Sequence, residues 1–283
     1  MSTLLLNSLN ISRPFLKWPG GKARILKFLT PHLVTNQILV EPFVGAGSVF
    51  LNTPFEKYIL NDVNPDLINL FNLIKTKEQT FIQAAQKLFS PKTNSAEYYY
   101  QLRSQFNVST SIFDRAILFL YLNKHGYNGL CRYNSKGGYN VPFGSYKTVS
   151  FPENEIRAFA QKSESAQFSQ LSFEVFFEWL NNNYPAKKLT IYCDPPYAPL
   201  SVTANFTGYA CQKFTLENQQ RLADLALKMS KRGSKVIISN HDTDFTRTLY
   251  KKAKIIPLQV QRGISCKSAS RKKVNELLAI YSL

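Results

Sequence analysis

The run Asp194-Pro195-Pro196-Tyr197 carries the sharpest chemical signal in the sequence. Consecutive prolines lack N–H donors and restrict the backbone, which leaves a carboxylate, free carbonyls and an aromatic ring in one place. These groups suit an exocyclic amine, because its hydrogens need acceptors and its base needs a stacking surface. Asp194 and the Pro195 carbonyl would draw an adenine N6 toward tetrahedral geometry and aim its lone pair at an electrophile. In a second interpretation the run is a strand-ending turn in which Tyr197 packs and Asp194 caps.

A second candidate site lies earlier in the chain, where a glycine turn follows the apolar run 38–40. Gly45 and Gly47 follow the carboxyl end of a predicted strand, where doubly wound sheets bind adenosine-containing ligands. The third glycine of the dinucleotide fingerprint is missing, which disfavours NAD. Asp62 ends the next predicted strand, where an acidic side chain accepts hydrogen bonds from ribose hydroxyls. The alternative for Asp62 is an N-cap for a helix with Pro65 in its first turn.

Strands and helices alternate around these residues, which predicts an α/β fold with a parallel sheet. Apolar runs predict strands at 38–40, 58–60, 189–193, 236–238, 254–260 and 276–281. Helical periodicity predicts helices that begin near Ser48, near Pro65 and at Leu216. Residues 77–124 have a helical pattern without strands, and we expect them to form an insertion in the sheet domain.

Residues 124–152 have a different character, with five of the twelve glycines, six aromatic residues and four cations but no acid. This composition predicts an exposed contact loop or hairpin that turns at 136–138. A tyrosine-rich hairpin that only packs is the alternative, and the single sign of charge disfavours it. Residues 262–273 form another purely basic stretch, which we expect to touch backbone phosphates.

The overall charge favours a polyanionic partner. The chain of 283 residues has 35 Lys and Arg against 18 Asp and Glu, a formal charge of +17, and each neutralised phosphate releases counterions. The four cysteines lack zinc spacing and are expected to be reduced thiols. His125 and His241 show no ligand pattern, so no metal is expected. No secretory leader or bilayer-length apolar stretch is found, which predicts a cytoplasmic protein without membrane contact.

Taken together, these motifs resemble the Dam-type DNA adenine methyltransferases, the D12 class of N6-adenine methyltransferases. The resemblance rests on collinear runs at 15–22, 41–47, 127–134, 194–197, 239–243 and 271–274. It implies a Rossmann-like S-adenosylmethionine-dependent methyltransferase sheet with an inserted, mainly helical target-recognition domain that carries a β-hairpin. The catalytic domain would comprise residues 1–64 and 153–283, and the recognition domain residues 65–152.

The resemblance also implies the reaction, in which a methyl group passes from S-adenosylmethionine to N6 of a flipped-out adenine in a GATC duplex. S-adenosylhomocysteine would be the product, and no metal would take part. Asp194, Pro195 and Pro196 would hold the target amine, and Tyr197 would stack on its base. The residues that would contact the donor are Trp18, Lys22, Phe43, Gly45, Gly47, Asp62 and Asp194. The residues that would contact DNA are Lys17, Tyr127, Asn128, Leu130, Arg132, Tyr146, Lys147, Arg271 and Lys272.

The side chains of the DNA set suit those roles. Flipping a base out of the duplex costs a few kcal/mol, and Tyr127 and Leu130 are suitable wedges. Arg132 would bind a guanine edge through two hydrogen bonds. Ser145 stands where close relatives often have arginine, so one DNA contact is either missing or supplied by Lys147.

Two other functions stay open at this point. Methylation of cytosine N4 poses the same chemical problem, but those enzymes more often carry serine at the position of Asp194. A catalytically silent DNA-binding protein would need none of Trp18, Asp62, Asp194 and Tyr197, all of which are present. We expect a monomer that associates with the nucleoid through double-stranded DNA.

Overall fold

The computed structural model of the protein describes residues 11–22, 25–33, 38–199, 214–261 and 273–282. Its strands are β1 (Ile38–Glu41), β2 (Lys57–Asn61), β3 (Ala166–Ser169), β4 (Leu189–Cys193), β5 (Lys235–His241), β6 (Lys254–Gln261) and β7 (Lys273–Tyr281). They form one seven-stranded sheet in the order β3-β2-β1-β4-β5-β7-β6. The strands from β3 to β5 pair in parallel, and β7 lies antiparallel between β5 and β6.

The α-helices connect and cover these strands. They are α1 (Leu26–Leu29), α2 (Ser48–Leu51), α3 (Pro65–Gln86), α4 (Ala96–Val108), α5 (Ile112–His125), α6 (Glu153–Ser163), α7 (Phe173–Asn183), α8 (Leu216–Lys231) and α9 (Asp244–Leu249). Short 3₁₀ turns occur at Thr30–His32, Pro91–Thr93, Tyr127–Gly129 and Ala186–Lys188. Most longer helices begin at a polar cap that satisfies an otherwise unpaired N–H. Ser95, Ser111, Ser172 and Thr215 are examples of such caps.

Alternation of side chains along the strands divides the core between the two faces of the sheet. On one face, Leu39, Tyr192 and Ile237 pack with buried residues of α3, α4, α5 and α6. On the other face, Val40 and Ile238 pack with buried residues of α7 and α8. The helices of the predicted insertion therefore share a continuous buried cluster with the sheet, and the domain boundary at 65–152 stays a prediction.

The predicted α/β fold is confirmed, and so are the strands predicted from apolar runs. Strand β3 was not predicted, since only Ala166 of its four residues is buried. Helices α6 and α7 were also missed. Within α3 the backbone at Lys77 departs from helical geometry, so the predicted helical stretch from 77 continues the preceding helix after a kink.

The glycine-rich segment after α5 folds back on itself without forming regular strands. Antiparallel bridges join Gly126 to Phe143 and Tyr133 to Tyr139, and the chain reverses at Gly137, where φ is +79°. We call residues 126–143 the reading hairpin. The predicted hairpin and its turn are therefore present, with two isolated bridges in place of a ladder.

Candidate active site

A buried network at the end of β4 fixes the carboxylate of Asp194. Lys22 Nζ forms an ion pair with Asp194 Oδ1 at 2.9 Å, and Ser239 Oγ on β5 donates to the same oxygen at 2.9 Å. Tyr192 OH lies 3.0 Å from Ser239 Oγ, and both of these side chains are buried. Within the described part of the chain, Asp194 Oδ2 has no hydrogen-bond partner. One carboxylate oxygen is thus anchored by side chains from two other parts of the chain.

The charge of Lys22 is maintained although its side chain is only 11% exposed. Burial is the largest single influence and favours the neutral amine, but the interactions with Asp194, Tyr192 and Glu276 together outweigh burial and raise the pKa of Lys22. Lys22 Nζ also lies 4.3 Å from the centroid of the Tyr197 ring. A single ammonium group therefore holds both the carboxylate and the aromatic ring of the Asp-Pro-Pro-Tyr run.

Side chains from β5 and α8 hold the backbone that follows Asp194, and we call Gln219, Asn240 and His241 the turn clamp. Gln219 Nε2 donates to Pro196 O at 2.8 Å, while Ala198 N donates to Asn240 Oδ1 at 3.0 Å. His241 Nδ1 lies 2.8 Å from Ala198 O, and Asn240 Nδ2 donates to Gln219 Oε1 at 3.0 Å. Because Gln219 and Asn240 are buried, water does not compete for these bonds, and the turn is held rigidly.

The ring of Tyr197 is fixed in the site by contacts with β7 and with His241. Its hydroxyl donates to Glu276 Oε2 on β7 at 3.0 Å, and its ring meets the His241 ring edge-to-face at 4.9 Å. Burial, followed by the charges of Asp194 and Glu276, raises the pKa of Tyr197 well above its ordinary value. The phenol is therefore neutral at physiological pH, which suits a stacking surface.

The glycine turn and Asp62 adjoin this network from the neighbouring strands. Gly45 has φ +49°, and a Cβ there would lie 2.9 Å from Trp18 Nε1. A larger residue at position 45 would therefore collide with the indole of Trp18. Gly45 N donates to Asp62 Oδ2 at 3.1 Å, and Asn64 N donates to Asp62 Oδ1 at 3.0 Å. Burial raises the pKa of Asp62, while these N–H groups partly offset the rise.

The alternative interpretation of Asp62 as a helix cap is wrong, because the N-cap of α3 is Asn64. Gly47, with φ +76°, precedes the first residue of α2. Phe43 packs against Phe173 and Phe214, with both ring centroids 5.8 Å away. The predicted donor-contacting residues thus gather at the carboxyl ends of β1, β2 and β4.

Glu41, at the end of β1, is a site residue that the sequence reasoning missed. It is 2% exposed, and its Oε1 has no hydrogen-bond partner among the described residues. Burial and the nearby Asp194 raise the pKa of Glu41 well above its usual range. An unsatisfied buried carboxyl oxygen costs free energy, which is a common sign of a ligand contact.

Lys17 connects the segment before the site to the end of α5 and to Tyr146, which follows the reading hairpin. Its Nζ lies 3.7 Å from the centroid of the Tyr146 ring and donates to Lys124 O at 2.9 Å. Its backbone N donates to Asn123 Oδ1 at 2.9 Å. Burial and the charge of Lys124 lower the pKa of Lys17 to about 8. Lys17 and Tyr146 therefore act as one unit at the base of the hairpin.

Arg132 is hydrogen-bonded within the reading hairpin. Its Nε donates to Asn140 Oδ1 at 2.8 Å and its Nη2 to Asn140 O at 3.1 Å. Tyr127 is 40% exposed, Leu130 is half-buried, and Asn128 adopts φ +53°. The hairpin thus carries a half-buried guanidinium bonded to Asn140 and an exposed aromatic ring.

Three other residues were predicted to contact DNA, namely Lys147, Arg271 and Lys272. Lys147 is exposed, while Arg271 and Lys272 lie outside the described residues. Ser145 is exposed and has φ +51°, a left-handed conformation that costs a non-glycine residue free energy. The described structure therefore places Lys147 at the surface and gives no account of the basic stretch 262–272.

The residues that sequence reasoning missed come from elements far from Asp194 in the chain. Ser239 and Gln219 are ordinary polar residues in their local sequence, and no spacing links them to Asp194. Asn240 and His241 follow a predicted strand end, which is a signal that could have been used. His125 is buried and stacks on Tyr121 with ring centroids 4.0 Å apart, a structural role.

The described residues show neither a metal-binding cluster nor a membrane-spanning helix. No group of three or more His, Cys, Asp and Glu side chains there could hold a metal ion. None of the described helices is long and apolar enough to cross a membrane. Cys131 and Cys193 are free and buried thiols.

A seven-stranded sheet with an antiparallel β7, a glycine turn and an Asp-Pro-Pro-Tyr run defines the class, an adenine-specific DNA methyltransferase. The chain belongs to the D12 class N6 adenine-specific DNA methyltransferase family, whose model matches residues 18–264. It is 52% identical to the DNA adenine methylase of Escherichia coli strain K12 over 95% of both chains. It is also 52% identical to the DNA adenine methylases of Vibrio cholerae serotype O1, over 95% of this chain and 96% of the relative, and Haemophilus influenzae, over 95% and 93%.

Family membership decides between the functions that the sequence left open. The family is adenine-specific and enzymatic, which excludes cytosine N4 as the family's target and disfavours a silent DNA-binding protein. DNA is therefore the substrate.

Proposed function

We propose that this enzyme methylates N6 of a flipped-out adenine in GATC duplex DNA, with S-adenosylmethionine as the methyl donor. The observation that carries the proposal is the state of Asp194, whose Oδ1 is anchored by Lys22 and Ser239 while Oδ2 is without a partner among the described residues. A fixed acceptor beside an aromatic ring suits an amino group on a planar base.

The residues that line the site suit S-adenosylmethionine. The unpartnered Glu41 Oε1 is a buried polar atom beside the glycine turn, and a polar group of a ligand would satisfy it. Trp18, Lys22, Asp62 and Asp194 would hold the donor, with Phe43 beside its adenine and Asp62 at its ribose. When bound, S-adenosylmethionine supplies a methyl group on a positively charged sulfur. Asp62 is suited to this contact because its oxygens are already oriented by two N–H groups.

The chain's contribution to the chemistry is positioning and electrostatics. Asp194 Oδ2 and the Pro195 carbonyl accept the two N6 hydrogens, which draws the lone pair out of conjugation with the ring. Asp194 keeps its orientation throughout because Lys22 and Ser239 hold its other oxygen. The proton leaves to solvent after transfer, so the account requires no dedicated base.

The same geometry supports base flipping. One face of the Tyr197 ring is taken by Lys22 Nζ, so the other face is the surface on which the target adenine stacks. Flipping costs a few kcal/mol, and the wedge residues Tyr127 and Leu130 occupy the space that the base leaves. Stacking on Tyr197 returns part of that cost.

Recognition of GATC is assigned to the reading hairpin and Lys17. Arg132 exchanges Asn140 for the O6 and N7 of a guanine, a bidentate contact worth about 1–3 kcal/mol of discrimination. Lys17, Asn128 and Tyr146 contact neighbouring bases, whereas Lys147, Arg271 and Lys272 contact phosphates. This division places sequence choice in the hairpin and affinity in the surrounding cations.

The test is transfer of labelled methyl from S-adenosylmethionine to matched duplexes that differ by one base pair within a single GATC site. Label on adenine N6 in the GATC duplex alone is the expected result. Label on both duplexes would preserve the chemistry and reject the site. No label with a folded, DNA-bound protein would reject the donor or the reaction.

A further inference from the structure

A second cationic surface lies at the edge of the sheet opposite the active site. The amino ends of β4, β5 and β6 meet at this edge, since β5 and β6 both run antiparallel to β7. We call it the back edge, and its cations are Lys187, Lys188, Lys231, Arg232, Lys235, Lys251, Lys252 and Lys254. These eight residues are a large share of the 35 Lys and Arg in the chain.

The cations of the back edge lie close enough to affect one another. Burial and the charge of Lys254 lower the pKa of Lys235. Burial and the charges of Lys235 and Lys254 lower the pKa of His32 as well. Lys187 packs on Gly233, where a Cβ would lie 2.8 Å from Lys187 Cγ. Repulsion between these positive charges destabilises the folded protein, and a bound polyanion would relieve it.

Acidic side chains do not neutralise this surface. Among the described residues, none of the eight cations forms an ion pair, and the ion pairs found there involve Lys22, Arg115, Arg157 and Arg247. Asp224 lines the same recess as Lys251 and Lys252 and is the carboxylate we find beside them. Seven of the eight cations are exposed, and Lys235 is half-buried.

The size of the back edge matches a duplex. From β4 to β6 there are three strand spacings, or roughly 14 Å, and duplex DNA carries about one charge per 1.7 Å of its axis. A stretch of this length carries about eight phosphates on the two strands together, or about four per strand. Lys188 and Asp194 bracket β4, which places the two edges about 20 Å apart. Because a duplex is stiff over roughly 150 base pairs, DNA held at the active site does not bend around the sheet to reach the back edge.

We propose that the back edge binds a second segment of duplex DNA through its phosphates, without sequence preference, while the active site holds its target. Simultaneous contact with two segments gives the enzyme a route to move directly from one to the other. The eight named residues are lysines and one arginine, whose charges suit phosphate contact without sequence preference. DNA as the substrate follows from the family, so this inference does not rest on GATC.

The experiment compares the full-length enzyme with the K187Q/K188Q/K251Q/K252Q variant. A matched control, K27Q/K77Q/K87Q/K92Q, removes the same charge from exposed lysines that are not part of the back edge. Each protein is bound to a short labelled duplex that it methylates, and its dissociation rate is measured against rising concentrations of an unlabelled duplex without a target site. Direct transfer makes the dissociation rate rise with competitor concentration.

For the wild type and the control we expect this rise, and for the back-edge variant we expect its slope to fall about tenfold or more, since four phosphate contacts are lost. Methylation of the short duplex should stay within twofold in all three proteins. An unchanged slope in the variant, or no rise in the wild type, would overturn the proposal. Phosphatidylglycerol vesicles that act as strongly as DNA at equal phosphate would overturn the assignment to DNA. Failure of methylation alone would concern the active site and not the back edge.

Discussion

The turn after β4 and the reading hairpin after α5 hold their functional side chains in opposite ways. At the turn, Asp194 is anchored by partners from other elements, and the following backbone is held by the turn clamp. In the hairpin, Arg132 is bonded within the hairpin itself to Asn140, and Tyr127 is exposed. Under the proposed function, the turn is in place before the substrate binds, whereas DNA would replace the contact between Arg132 and Asn140.

This difference separates two physical requirements. Stabilising a transition state needs groups already in place, since reorganisation during the reaction would cost part of the gain. Reading a duplex needs side chains that are hydrogen-bonded within the protein before DNA binds, because an unpaired arginine costs free energy. The same side chains must then exchange these bonds easily for bonds to DNA. Changes at the turn should therefore affect rate, and changes at the hairpin should affect choice of sequence.

The largest expected effect is that of Asp194→Ala. Removing the acceptor should lower single-turnover methyl transfer by about a thousandfold or more, while DNA affinity stays within about threefold. Labelled transfer and fluorescence anisotropy measure the two quantities. Asp194→Asn keeps the size of the side chain and should be similarly slow. Equal loss of binding and transfer would remove Asp194 from its assigned role.

Arg132→Lys tests the reading hairpin and should change sequence discrimination. Lysine is a point donor that cannot reproduce the two parallel bonds of a guanidinium, so discrimination between GATC and a duplex with one guanine replaced should fall by about 10–100-fold. The transfer rate at saturating GATC should stay within about threefold. Arg157→Lys, on the exposed face of α6, is the control and should leave discrimination unchanged. A selective loss of rate would contradict the assignment.

Ser239→Ala tests whether the anchored oxygen matters. Loss of one buried hydrogen bond, about 1–1.5 kcal/mol, should lower kcat roughly tenfold, with KM for DNA within about twofold. Ser163→Ala removes another buried hydroxyl, one that donates to Ala160 O at 2.7 Å, and should leave kcat unchanged. If both variants slow the reaction equally, the effect is one of general stability.

The smallest effect concerns pH and Lys17. Because burial and Lys124 lower the pKa of Lys17 to about 8, this amine is charged at pH 7 and mostly neutral at pH 9 in the free enzyme. Binding to DNA favours the charged form, so affinity should fall as pH rises past 8, by a few-fold for one lost phosphate or base contact. Lys17→Arg stays charged and should remove that loss between pH 7 and 9. A wild-type affinity that is flat over this range would contradict the assignment.

Much of the fold and part of the site could be predicted from local sequence. The strands with continuous apolar runs were identified, since burial on both faces leaves an unbroken apolar signal. Strand β3 was missed because three of its four residues are not fully buried. Asp62 and Asp194 were found because each ends a predicted strand, a position that is readable from sequence.

The partners that orient these residues could not be predicted. Ser239 reaches Asp194 only because β4 and β5 are neighbours in the sheet, and Gln219 reaches the turn from a helix. Such contacts depend on three-dimensional proximity, to which the spacing of residues along the chain gives no guide. The hydrogen bond from Arg132 to Asn140 could not be predicted either, because an arginine in a basic hairpin indicates only a contact with DNA.

One measurement tests the division between turn and hairpin most directly. Single-turnover transfer of labelled methyl is followed for S239A and R132K on a GATC duplex and on a duplex with one base pair of the site changed. We predict that S239A loses about tenfold in rate on both duplexes with discrimination intact, whereas R132K keeps its rate on GATC and loses discrimination. Proportional loss of rate and discrimination in both variants would contradict the account.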